Sequence, residues 1–352
     1  MQALILRAGV KEVERDAMNV TNKLLHGEWF KSKISGIKMA LFLYDKEISD
    51  ANKTSLHTDI VATSKDSIFH VRQAVANSLT TLIQKFPEKD TEEIVGRLVN
   101  DVSELVRYEW VSNIVKMRPI PYKLLLMTIG MGENEQNDDE KEEDKAEDEP
   151  KTIESELKLL YQNSYAKIRK VVAENAVEIC KTLNKGNFET LFSNLYKALI
   201  NDKDKSIKII LMNHLGNQGN EISDLIDVHL LTDDLIESWK AMFDSNDWRD
   251  KSEVFSNFSN FAVILGKDEF TTQFLDFIKE GLSDRIYDIR RHSVATLLTW
   301  TETFGYEWFS YHILEYLYAF KSDRNYLHRQ TPLFTFQALS KHIGTGSNLS
   351  KS

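Results

Sequence analysis

Aromatic side chains recur beside aspartate and arginine along this chain, a combination suited to recognition rather than to covalent chemistry. Asp284 opens a short turn, Tyr287 sits on it, and an aliphatic residue leads to Arg290. Asp323, Tyr326 and Arg329 repeat the arrangement 39 residues on. Other aromatic rings fall at comparable turns: Trp29 and Phe30, Phe69 beside His70, and Trp248. Trp and Tyr are enriched among the residues that dominate protein–protein binding energy. The alternative for each ring is to fold back over the core of a neighbouring unit. The Arg or Lys after each turn and the Asp ahead of it are assigned a structural part, bonding across to the next unit and capping helix ends.

Residue types that would break or make covalent bonds are poorly placed. Cys180 lies in a helical pattern with Ala176, Val177 and Leu183, the setting of a buried small hydrophobe. The nine histidines form no HExxH and no i,i+4 pair, so no zinc site is expected. No phosphate-cradling GxxxxGK[ST], no GxGxxG after a strand and no GxSxG elbow occurs. The expectation is a non-enzyme with no cofactor and no metal.

These residues must be positioned by a repeated element. The marker cations Lys33, Arg72, Arg107, Arg169, Lys208, Arg249, Arg290 and Arg329 are separated by 39, 35, 62, 39, 41, 41 and 39 residues. A recurrence near 40 is the length of a two-helix unit of the HEAT or armadillo kind. The step of 62 contains the run ENEQNDDEKEEDKAEDEP, and removing about twenty residues there restores the period. Helix pairs are predicted at 11–26 with 28–44, 49–63 with 68–86, 90–101 with 104–117, and 152–162 with 164–184. Further pairs are 187–201 with 204–215, 221–243 with 247–265, 268–282 with 285–304, and 307–321 with 325–343. Val71, Val75, Leu79, Leu82 and Ile83 form one apolar stripe, and Val254, Phe258, Phe261 and Leu265 another. Residues 216–220 (GNQGN) read as a loop, Pro87 as a helix stop, and Gly266, Gly305 and Gly344 as helix-closing glycines. Residues 122–131 could finish the third pair or begin the fourth.

The fold class is therefore all-α, an α-solenoid of about eight HEAT-type repeats. The domain reading is N-terminal repeats over 1–132, an acidic loop over 133–150, C-terminal repeats over 151–344 and a flexible tail over 345–352. With 42% hydrophobic residues the chain can bury a core, and its few prolines and glycines favour helix. Residues 133–150 carry eleven acids and two lysines, so they hold −9 of the net −10 and leave the rest near −1. That balance lacks the basic footprint of a nucleic-acid binder. No stretch approaches the ~18 apolar residues of a spanning helix. With one cysteine and no signal-peptide layout, a cytoplasmic protein, also permitted in the nucleus, is expected.

The run YDIRRHSVATLLTWTETFGYEW, followed by NYLHRQTPLFTFQALSKHIG, resembles consecutive HEAT repeats of the protein phosphatase 2A scaffold (A) subunit family. NDWRDKSEVFSNFSNFAVILGKDEF is similar to the repeat before them, and EWFKSKISGIKMALF with the VRQAVANSL and VRYEW helices to earlier repeats. The resemblance implies a non-catalytic scaffold, monomeric within a hetero-oligomer. Trp248, Arg249, Tyr287, Asp288, Tyr326 and His328 would then face the phosphatase catalytic subunit. Trp29, Phe30, Phe69, His70, Glu104 and Leu105 would face a B-type regulatory subunit. The family has about fifteen repeats, so this chain would be a shortened member. Its WRDK, where the family has WRxR, implies a missing arginine contact. A type 4 phosphatase regulatory subunit, or a HEAT adaptor for transport or tubulin, are the other classes the same pattern fits.

Overall fold

Helices account for every regular element that the computed structural model describes, over residues 10–86, 88–130, 152–183, 188–223, 229–245 and 247–345. The fold is all-α. Pro87, the acidic run 133–150 and residues 346–352 lie outside the described residues. The chain divides into two compact units, Met1–Asn187 and Phe188–Ser352.

In the first unit the helices are α1 (Val10–Leu25), α2 (Phe30–Tyr44), α3 (Asp50–Thr63), α4 (Phe69–Asn77), α5 (Leu79–Lys85), α6 (Glu88–Val99), α7 (Glu104–Val115), α8 (Tyr122–Thr128), α9 (Ile153–Tyr161), α10 (Ala166–Glu174) and α11 (Ala176–Leu183). Each inner helix packs on the helix before it: α2 on α1, α4 on α3, α7 on α6 and α10 on α9. The inner helices also pack on one another in the order α2, α4, α7, α10. Burial follows the sequence stripe, since Val71, Val75, Leu79 and Leu82 are buried and Ile83 is half-buried. Direct packing of α7 on α10 shows that the 62-residue step inserts chain without inserting a member of this row. Helix α8 packs on α6 and α7 of the third pair and also on α11 of the fourth, so Tyr122–Thr128 joins the two pairs.

Two predicted inner helices are each interrupted once, at Ser78 and at Asn175. Both residues bond back one turn, as Ser293 and Thr301 also do in a helix that continues unbroken. Ser78 Oγ donates to the Ala74 carbonyl (2.9 Å) and Asn175 Nδ2 to the Val171 carbonyl (2.9 Å). Such i−4 back-bonding competes with the helix ladder and often bends it.

The second unit holds α12 (Phe188–Ile200), α13 (Lys205–Ser223), α14 (His229–Phe243), α15 (Trp248–Leu265), α16 (Lys267–Leu282), α17 (Tyr287–Phe304), α18 (Tyr306–Phe309), a π turn (Ser310–Leu314), α19 (Glu315–Ala319), a short 3-10 turn (Phe320–Ser322) and α20 (Tyr326–Thr345). Here α13, α15, α17 and α20 form the inner row, and α12, α14 and α16 pack on α13, α15 and α17. Val254 and Leu265 of the second predicted stripe are buried; the side chains of Phe258 and Phe261 lie outside the described set.

Two sequence expectations are corrected in this unit. Residues 216–220 continue α13 instead of forming a loop. Each glycine there costs about 1 kcal/mol against Ala in a helix, a penalty that packing of α13 on α15 can offset. The helix predicted over 307–321 is present as one continuous run, widened by a π turn at Ser310–Leu314 and tightened at Phe320–Ser322. Gly344 falls inside α20, whereas Gly266 (φ 77°) and Gly305 (φ 93°) do occupy the left-handed backbone region at helix ends.

Helices α15, α16 and α17 meet closely at Gly281. A Cβ there would lie 2.2 Å from both Phe255 Cζ and Ser293 Oγ. Gly96, inside α6, faces open space. Gly281→Ala is expected to cost about 1–3 kcal/mol through overpacking. Gly96→Ala is expected to gain about 0.5–1 kcal/mol through helix propensity. Urea unfolding of the two variants checks the opposite signs.

Candidate protein-interaction ridge

Five of the eight inner helices, α4, α7, α10, α17 and α20, are entered through a turn with one recurring construction. An Asp or Asn side chain accepts the N–H two residues on: Asp66 from Ile68 (2.9 Å), Asp101 from Ser103 (2.8 Å), Asn163 from Tyr165 (3.0 Å), Asp284 from Ile286 (2.8 Å) and Asp323 from Asn325 (2.7 Å). The arginine further along then closes the turn with Nη1, donating to that same residue's carbonyl. Arg72 reaches Asp66 (2.8 Å), Arg169 reaches Asn163 (2.7 Å), Arg290 reaches Asp284 (2.7 Å) and Arg329 reaches Asp323 (2.7 Å). Arg107 closes on Asp101 in the same way. The clamp fixes the backbone on both sides of the residue that starts the helix: Phe69, Glu104, Ala166, Tyr287 and Tyr326.

The clamp cation also reaches the next turn. Arg72 Nε and Nη2 take both oxygens of Asp101 (2.6 and 2.8 Å), and Lys33 Nζ takes Asp66 Oδ2 (2.6 Å). Asp101 is almost fully enclosed. Burial pushes its carboxyl up, but the Arg72 fork and the Ser103 N–H outweigh burial and leave it below the usual carboxylate value. The hydrogen bond to Asp101 correspondingly raises Arg72. In the second unit Lys205 pairs with Asp250, and Lys251 Nζ lies 3.4 Å from Glu280 and 3.9 Å from Asp284.

Lys251, not Arg249, lies six residues after the turn residue Ser245, the place that Arg72 and Arg290 hold after Asp66 and Asp284. Ser245 stands where other turns have Asp, and its Oγ accepts the Asp247 N–H (3.3 Å). Arg249 is exposed, with its guanidinium 4.8 Å from the Trp248 ring centre and 3.8 Å from Asp247.

All twelve proposed contact residues lie in or beside the first turns of inner helices. Trp29 is the residue before α2 and Phe30 begins it; Phe69 and His70 begin α4; Glu104 and Leu105 begin α7. His70 links the first two groups, lying 5.1 Å from the Phe30 ring and 3.9 Å from Phe69. In the second unit Trp248 with Arg249, Tyr287 with Asp288, and Tyr326 with His328 sit at the starts of α15, α17 and α20, three helices packed side by side. Asp288 lies 3.8 Å from Arg291, and His328 Nδ1 lies 2.9 Å from Asp323. That histidine, followed by the Asn325 N–H, holds the Asp323 carboxyl below its usual value.

Exposure separates rings offered to a partner from rings spent on the core. Trp29 is 76% exposed, Tyr326 60% and Tyr287 51%, so these face outward. Phe30, Phe69 and Trp248 are half-buried and do both. Cys180 is fully buried and burial pushes its thiol up to about 12, which leaves no reactive thiolate near neutral pH.

One part of the ridge escapes the sequence reading. Tyr165, at the Asn163 turn, meets Tyr108 edge-on at 6.2 Å, and Lys167 Nζ lies 5.9 Å from each ring. Asn replaces Asp there and the aromatic falls one place early. The unchanged spacing from Asn163 to Arg169 is the signal that could have found it.

No family model matches the chain, and no curated protein matches it. Among solved structures, a crystal structure of an engineered protein aligns over 92% of this chain and 78% of its own, at 12% identity and a TM-score of 0.43. A second engineered protein aligns over 82% of this chain and 98% of its own, at 9% identity and a TM-score of 0.33. Neither likeness is close enough to fix an arrangement or a role. Among the described residues no helix is long and apolar enough to cross a membrane.

Asp101→Asn leaves the Arg72 fork facing a neutral partner and is expected to cost about 2–4 kcal/mol, within the range for breaking largely buried pairs. Because folding lowers the Asp101 pKa, the wild-type advantage is present above the unfolded value of about 3.9 and fades as pH falls through the folded one. Urea midpoints of wild type and variant are expected to differ at pH 6 and to converge as the pH falls through the folded Asp101 pKa.

Proposed function

We propose that this chain is a non-catalytic scaffold of about eight HEAT-type helix pairs, with a stretch of α-solenoid in each unit. On this reading it serves a 2A-type Ser/Thr phosphatase. The catalytic subunit is held on Trp248, Arg249, Tyr287, Asp288, Tyr326 and His328, and a regulatory subunit on Trp29, Phe30, Phe69, His70, Glu104 and Leu105. The observation that carries it is the row of ring-bearing helix starts at Trp248, Tyr287 and Tyr326 on three adjacent helices, two of the rings more than half exposed. It is supported by the likeness of the YDIRR and NYLHR wording to that scaffold family. A scaffold of this kind works by raising the effective concentration of two partners for each other.

The test is recovery of a phosphatase catalytic subunit on the immobilised full chain, wild type against Trp248→Ala with Tyr326→Ala. Loss of two binding anchors is expected to lower recovery by roughly tenfold or more. Equal recovery by both chains, or none by wild type, overturns the reading. Recovery of a type 4 phosphatase instead would move the chain to that class, and co-sedimentation with tubulin would move it to the transport and tubulin-binding adaptors.

A further inference from the structure

Arg290 is the clamp cation whose outer edge has nothing to hold. It is 2% exposed, and its Nη1 bonds the Asp284 and Arg285 carbonyls (2.7 and 3.1 Å) just as Arg72 Nη1 bonds Asp66 and Ser67 (2.8 and 3.2 Å). The equivalent Arg72 gives Nε and Nη2 to the carboxylate of the next turn. The same two nitrogens of Arg290 are buried without a partner. The carboxylate of the next turn, Asp323, is engaged by the Asn325 N–H (2.7 Å) and His328 (2.9 Å). Besides its Nη1 bonds, the guanidinium has the Tyr287 ring, 5.7 Å away.

Arg290 also lines a cavity of about 280 Å³ between α17 and α20. Its other walls include Val294, Leu298, Phe334 and Ala338, with Tyr287 set edge-on to Phe334 at 6.1 Å. The wall contributes a second orphan, Thr331, whose hydroxyl is fully buried and unbonded. The remaining cation on the wall, Arg291, lies 3.8 Å from Asp288. The unpaired guanidinium edge and the hydroxyl are closed off just behind the wall of an otherwise apolar groove, and the group that would complement them once the wall side chains part is singly charged and planar with an apolar body. A buried cation edge left unpaired is costly, and a bidentate carboxylate is its natural complement.

We propose that the groove between α17 and α20 is a binding site for a carboxylate joined to a branched aliphatic body, with the carboxylate on the Nε–Nη2 edge of Arg290 and the Thr331 hydroxyl, and the body against Val294, Leu298 and Phe334. The site is independent of the phosphatase reading, and failure of the pull-down leaves it standing.

The test titrates the full chain, labelled at Val, Leu and Ala methyls, with 4-methylpentanoate and with the neutral isostere 4-methylpentanamide. The carboxylate is expected to move the Val294 and Leu298 methyls saturably and to bind roughly tenfold or more tighter than the amide, the size of a charge-assisted hydrogen bond. Arg290→Met is expected to erase that preference. Since this variant also loses the turn clamp, Ala295→Leu serves as a second variant that narrows the groove and keeps Arg290; it is expected to abolish binding with the melting temperature unchanged. A capped acetyl-Ala-Leu-Glu-Leu-Ala-amide that displaces 4-methylpentanoate assigns the carboxylate to a protein side chain, and binding of the small acid alone assigns it to a free carboxylic acid. Unmoved methyls, equal binding of acid and amide by wild type, or unaltered binding by Ala295→Leu overturns the proposal.

Discussion

The clamp in which an arginine reaches back to the carbonyl of its own turn holds the entry of inner helices in both units, and at Arg72 its other edge also reaches forward to the next turn. Arg72 does both at once, and no other side chain could. Its Nη1 closes the Asp66 turn and its Nε–Nη2 edge meets Asp101 in two parallel bonds. Guanidinium has a fork in a fixed plane, whereas an ammonium supplies a point charge. Lys33 and Lys251 accordingly make the forward contact alone, at 2.6 Å and 3.9 Å. Burying such a pair gives little net stability, because desolvation opposes the attraction. What it gives is register, since a slip of one inner helix against the next would leave a buried cation and a buried carboxylate unmatched.

Much of this was legible in the sequence, for identifiable reasons. The period near 40 survives because five inner helices are entered by the same turn at the same place, and Asp or Asn with Arg are the residues that build it. The apolar stripe at Val71, Val75, Leu79 and Leu82 survives because one face of α4 and α5 must be buried. The breaks at Ser78 and Asn175 were not legible, since polar residues such as Ser293 and Thr301 make the same i−4 bond in a helix that continues. Nor was the helical state of 216–220, where local propensity opposes packing and packing prevails.

The candidate ridge was legible in its residue types but not in its division of labour. Trp29 and Trp248 carry the same ring at neighbouring turn positions, yet the first stands free and the second is half covered, with Arg249 laid against it. Lys251, rather than the more conspicuous Arg249, holds the place of Arg72 and Arg290. The reason is geometric: the frame is counted from the turn residue Ser245, and a serine is easily passed over where aspartate is expected.

The same clamp explains how an exposed ring can be a good anchor. An outward-facing Tyr on a floating loop loses backbone and side-chain freedom when it binds, and that loss subtracts from affinity. Tyr287 and Tyr326 begin helices whose entry turns are already held by Asp284 with Arg290 and by Asp323 with Arg329, so the backbone part of the loss has been met in folding. The side chain has only two torsions left to settle. A repeat that needs the clamp for its own register thus offers a stiff tip as a consequence, aromatic where that position holds Phe69, Tyr287 or Tyr326. Which tips are used is then a matter of the residue at one position. Where that position holds Ala166, the ring moves one place earlier, to Tyr165, and turns to Tyr108 instead of standing free.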